Sequence, residues 1–141
     1  MDSYTVPMET FSRETLDPWY VTGFAEGAAT FTFSRSGRQL SLYFSLKLPT
    51  ADRALLQSIQ SFFGDAGKLY PTADGRSLYL RITRLPELVR VVEHFDTFPL
   101  QGARASTYAT WREMVLIKQS SPRRPDRDRL NLLAAQLSSG R

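Results

Sequence analysis

Between residues 32 and 81 the chain repeats one kind of side chain at alternate positions: hydroxyls, tyrosines and cations. Thr32, Ser34, Ser36 and Arg38 form the first set, and Ser41, Tyr43, Ser45 and Lys47 the second. Lys68, Tyr70, Thr72, Arg76, Tyr79 and Arg81 complete it, and none of the set is a carboxylate until the turn at Asp74 is reached. Such groups bind rather than react. Hydroxyls hydrogen-bond phosphates or base edges, Arg can fork onto guanine, and Lys and Arg displace counterions from phosphates. Conventional catalysis has little to draw on. The chain has no cysteine and one histidine, His94. Disulfides and thiolate metal sites are thereby excluded, and a zinc site would have only carboxylates to help His94. There is no Gly-rich phosphate loop and no Gly-x-Ser-x-Gly elbow.

The alternation assigns these residues to strands. Residues 29–36 and 39–48 alternate strictly and meet at Ser36-Gly37-Arg38, a hairpin turn. Phe31 and Phe33, then Leu40, Leu42, Phe44, Leu46 and Leu48, share the apolar face. A second hairpin, 68–72 and 77–82, turns at Ala73-Asp74-Gly75. Helical spacing predicts helices over 51–63 (capped by Thr50), from Thr83 and Pro86 to about Phe95, over 103–119, and a short one over 126–137 through Leu130, Leu132, Leu133 and Leu137. An earlier helix over 17–27 opens with Asp17-Pro18, a capping acid and a tolerated first-turn proline. Its next ten residues carry one charge, Glu26, so it is expected to be buried on more than one side. Gly23 and Gly27 lie on one face and would admit another helix to backbone contact. The predicted fold is α+β, an αββαββα core whose curved four-stranded antiparallel sheet is helix-covered on one face, followed by C-terminal helices.

The helix and the strand after it carry a family likeness. Gly23-Phe24-Ala25-Glu26-Gly27-Ala28-Ala29-Thr30-Phe31 resembles the Gly-Phe-x-Asp-Gly-(Asp/Glu)-Gly-Ser-Phe motif of the LAGLIDADG homing endonucleases, single-motif type. His94-Phe95-Asp96-Thr97-Phe98-Pro99-Leu100 is similar to that family's "HFDxYPL" element, and the resemblance spans residues 17–119. It implies a saddle over the major groove and a homodimer paired through the motif helix, with Trp19, Tyr20, Thr22, Gly23, Phe24, Glu26 and Gly27 at the seam. It also implies a Mg²⁺-dependent nuclease whose metal-binding acid falls on Ala28. A methyl group cannot bind metal, and Glu26 is two residues away, about 200° around the helix. The expectation is therefore a degenerate active site with no catalytic residue, no metal and no cofactor. Glu26 is the neighbouring acid and Arg104 a retained basic residue. The alternative is an active Mg-dependent nuclease with a displaced acid, or an RNA splicing maturase.

Charge agrees with a polyanion partner. Net charge is +4, but residues 1–29 carry one Arg against five acids, residues 30–90 nine Lys/Arg against four, and residues 101–141 eight against three. Residues 1–16 read as a leader without the features of a signal or transit peptide. Residues 17–119 form the nucleic-acid-binding domain, and 120–141 a basic linker, including Arg123 and Arg124, with its short helix. No apolar run approaches the ~20 residues of a membrane helix. The expected setting is intracellular (cytoplasm, nucleoid or organelle matrix), not secreted, with duplex DNA or structured intron or ribosomal RNA as partner. A purely structural, protein-binding module is the bland alternative.

Overall fold

The computed structural model describes residues 16–139, so the expected leader lies outside the described residues apart from Leu16. Helix α1 (Pro18–Ala28) runs directly into β1 (Ala29–Ser36). Strand β2 (Gln39–Pro49) follows, then a 3₁₀ turn at Thr50–Asp52 and α2 (Arg53–Phe62). Strands β3 (Lys68–Pro71) and β4 (Ser77–Ile82) form the second hairpin, and α3 (Leu85–Thr97), α4 (Arg104–Ser120) and α5 (Arg127–Ser139) complete the chain. The four strands make one antiparallel sheet in the order β1-β2-β4-β3.

The start of α1 follows from its first residues. Asp17 keeps an extended backbone while its carboxylate accepts from the Trp19 amide at 2.8 Å, and Pro18 occupies a position whose missing N–H costs nothing. The sheet's apolar face and the helices enclose an aromatic core. Phe31 lies 5.2 Å from Phe44, 5.5 Å from Phe95 and 5.2 Å from both Tyr108 and Trp111, ring centre to ring centre. Buried Trp111 anchors α4 to the sheet by donating its indole N–H to the Thr32 carbonyl at 3.1 Å. Rings of this size supply most of the burial energy, and their tilted packing adds to it.

Three local expectations change. Thr50 does not cap α2: its hydroxyl donates to the Gly75 carbonyl at 2.8 Å and its amide to Arg76, tying the β3–β4 turn to the end of β2. Strand β3 stops at Pro71 because Thr72 turns, its hydroxyl donating to Asp74 at 2.7 Å and accepting from the Ser77 amide at 3.1 Å. In α5, Leu130, Leu133 and Leu137 are buried with Ala134, but Leu132 is 56% exposed. The helix packs on α4 through one narrow stripe, held at its side by an Arg129–Glu113 ion pair at 2.6 Å and by Arg35 donating to Asn131 at 3.0 Å.

Candidate nucleic-acid interface

The register sets the polar face. Thr30 lies across from Ser45, Ser45 from Arg81, and Arg81 from Lys68, so one row crosses all four strands. The next row toward α1 is Lys47, Tyr79 and Tyr70, and the one toward the first hairpin turn contains Thr32 and Tyr43. Arg81 is clamped between rings, its guanidinium carbon 4.5 Å from the centre of Tyr43 and 5.8 Å from that of Tyr79. Lys47 Nζ lies 6.0 Å from the Tyr79 ring. Cation–aromatic contacts hold these charges outward without neutralising them. Arg81 and Lys68 are direct cross-strand partners, and like charges so placed cost stability. The Arg81 Nε is buried without a hydrogen-bond partner among the described residues.

Not every predicted contact residue is available. Ser34, Ser36, Arg38, Ser41, Lys47, Lys68, Tyr70 and Arg76 are exposed, and Tyr43, Tyr79 and Arg81 are half-buried. Thr32 and Ser45 are buried in the sheet at 3% and 6% exposure, and the Thr72 hydroxyl is engaged in its turn. These three are less accessible than the alternation predicts, because alternation tells which face a residue takes, not whether neighbours cover it or a turn engages it. Arg123 and Arg124 are exposed in the α4–α5 linker, off the sheet.

The end of α1 is closed by two side chains reaching across the fold. Glu26 accepts from the backbone amides of Gln101 and Gly102, the latter at 3.2 Å from both carboxylate oxygens. A Cβ at Gly102 would stand 3.0 Å from that carboxylate, so a larger residue there would push Glu26 aside by a few tenths of an ångström. In return Arg104 donates to the Ala29 carbonyl at 2.6 Å and to the Glu26 carbonyl, covering the negative end of the helix. A divalent cation requires oxygen ligands, preferably anionic. Ala28 offers a methyl, Glu26 is taken by amides, and Arg104 sets a positive charge on the carbonyls beside them. Among the described residues no three His, Asp or Glu side chains converge as a metal site. The residues present do not fit the ion.

His94 is structural in its surroundings. Its ring is buried among Phe62, Phe63, Phe95 and Phe98, with centres 4.6–5.6 Å away. Burial pushes its pKa down to about 4. The Thr22 hydroxyl donates to the Phe98 carbonyl at 2.8 Å and lies 2.9 Å from His94 Nε2. With its one proton committed, Thr22 must accept from His94, which fixes the Nε2–H tautomer. Within this chain Thr22 is therefore an internal residue, its hydroxyl engaged on both sides, unlike the rest of the set predicted for the seam. The outward face of α1 carries the others. Trp19 and Tyr20 are 53% and 48% exposed, and Tyr20 stacks on Phe24 at 6.4 Å. A Cβ at Gly23 or Gly27 would meet no atom within 4 Å. Glu26 sits to one side, held by its amides. The helix is thus buried on one face only within this chain.

A helix that runs into a four-stranded antiparallel sheet, with an aromatic and glycine stripe on its outer side, matches the LAGLIDADG α+β architecture. The sequence profile of the LAGLIDADG endonuclease family matches residues 21–115, and the chain belongs to that family. It is similar to an uncharacterised 50.9 kDa protein in ND4 intron 1 of Podospora anserina, 31% identical over 126 residues. That match covers 82% of this chain but spans only 26% of the relative's length. Among solved structures, the meganuclease I-AabMI bound to uncleaved DNA is 25% identical with a TM-score of 0.79, covering 86% of this chain and 45% of that one. The homing endonuclease I-TnaI matches at TM-score 0.79 and 23% identity, covering 89% of this chain and 90% of that one.

Proposed function

We propose that this chain is one lobe of a nucleic-acid-binding protein that lays its sheet in the major groove of duplex DNA, pairs through the outer face of α1 with a second lobe, and does not cut. The observation that carries the reading is the row containing Ser45, Arg81 and Lys68. Two cations face each other across strands, with no carboxylate between them, at a cost a polyanion would repay. A ribbon of two strands fits the major groove by width. The structure of I-AabMI on DNA, of which this chain spans 45%, supports a two-lobed reading, the other lobe being a second copy or a second domain.

Loss of cutting rests on Ala28 and on the full engagement of Glu26, which also argues against a displaced acid. The test is a supercoiled-plasmid assay with Mg²⁺ or Mn²⁺, beside an electrophoretic shift on duplex DNA at low salt. Binding without nicking is expected; clear cleavage by the native chain would reject the inactive assignment, and no shift would reject the ligand. Structured RNA is the competing ligand, served by the same cations and hydroxyls. Duplex binding by paired lobes predicts a near-palindromic site for a homodimer, and RNA binding does not.

A further inference from the structure

A second basic surface lies outside the sheet. At the tip of the first hairpin, Arg38 and Gln39 face the linker between α4 and α5 across a cleft of about 140 Å³. Lys118, Arg123, Arg127 and Asn131 supply its other polar groups, and Pro122 and Pro125 stiffen the linker wall. Four of its side chains are cations and none is acidic. Among the described residues no carboxylate pairs with any of the four. Lys118 is fixed in place because its ammonium donates to the Leu40 carbonyl. Asp126 is turned away, accepting from the Arg129 amide at 3.0 Å to start α5, and Arg129 is spent on Glu113.

We propose that this cleft holds one backbone phosphate of the same duplex that lies on the sheet, at the outer end of the lobe's footprint. The inference rests on the DNA-binding reading above and specifies where that reading ends. The cleft is smaller than the ~300 Å³ at which small-molecule pockets begin, so it suits a group and not a whole ligand. Arg38 joins it to the sheet face. The eight residues of β1 separate it from the end of α1, a run of about 26 Å, or about eight base pairs at ~3.4 Å each. A duplex following the sheet away from α1 therefore reaches the hairpin tip, where Arg38 opens onto the cleft, about eight base pairs out. Burial without a nearby carboxylate also lowers the Lys118 pKa, and an entering phosphate would relieve this.

The test measures affinity for a fixed duplex of about 30 base pairs against KCl concentration, by fluorescence anisotropy, where each phosphate neutralised contributes about 0.9 to the logarithmic slope. The double variant Arg123→Gln/Arg127→Gln removes two cations that make no hydrogen bond within the described chain. Its slope is expected to be shallower by about one, with an unchanged thermal melt. Lys47→Gln/Lys68→Gln serves as the sheet control. If the control flattens the slope and the cleft variant does not, the cleft inference fails and the DNA-binding reading stands. If the native chain binds no duplex, both fail. If the cleft variant weakens binding only to a hairpin RNA, the cleft belongs to RNA and the duplex assignment is overturned.

Discussion

Glu26 and Arg104 each close an end that the other's element leaves open. The carboxylate takes the free amides ahead of α4, and the guanidinium takes the last carbonyls of α1. Truncating Arg104 leaves carbonyls without a charged donor, so Arg104→Met is expected to cost about 2 kcal/mol in urea unfolding. An unchanged midpoint would show that water replaces it. His94 gives a pH dependence with a definite sign. Its ordinary value is 6.5 and its folded value about 4, so the folded state resists the proton that the unfolded chain accepts. The stability from neutral His94 is complete above pH 6.5 and falls away as pH drops toward 4. The loss should reach about 2–3 kcal/mol, and His94→Gln should flatten that limb. The reading of Ala28 as a missing ligand came from the family likeness in the sequence. The commitment of Glu26 was not legible there, because its partners lie 75 residues further on and periodicity sees only neighbours. A lone carboxylate in an otherwise uncharged helix was the one hint.

Strands and helices were legible where a single period persists. Strand β2, with Leu40 to Leu48 inward and Ser41 to Lys47 outward, follows the alternation closely. The exceptions are ends and neighbours. Thr50 has the chemistry of a cap but is drawn to the Gly75 turn by tertiary contact, and Leu132 falls off the stripe that α4 accepts. Helix α1 was predicted to be buried on more than one side, and within the chain its outer face is open. That face separates folding from pairing. Nothing lies within 4 Å of a Cβ at Gly23, so Gly23→Ala should raise subunit stability by up to about 1 kcal/mol through helix propensity. Gly23→Leu should leave the subunit folded yet block close approach of a second helix. Analytical sedimentation decides this: unchanged association of Gly23→Leu would place the seam elsewhere.

At the scale of the whole molecule, ion pairs hold the helices while the polar face of the sheet sets Arg81 against Lys68, a cost that the proposed ligand would repay. Lys68→Glu would turn a repelling pair with Arg81 into an attracting one, and a gain of about 0.5 kcal/mol in stability is expected together with weaker duplex binding. Chemical denaturation and anisotropy on the same samples test the opposition, and a variant that gains both would dissolve it. The basic total was legible from composition. The cleft was not, because Arg38 and Arg123 come together only when α4 has packed. Indeed α1, β1 and β2 are tied to the rest by contacts 72–79 residues apart: Thr22 to His94, Arg104 to Ala29, Lys118 to Leu40 and Trp111 to Thr32. During translation at ~5–20 residues per second, the first hairpin waits roughly 4–15 seconds with the part of its apolar face that α4 covers still open. Slow-decoding codons before Arg104 would lengthen the exposure.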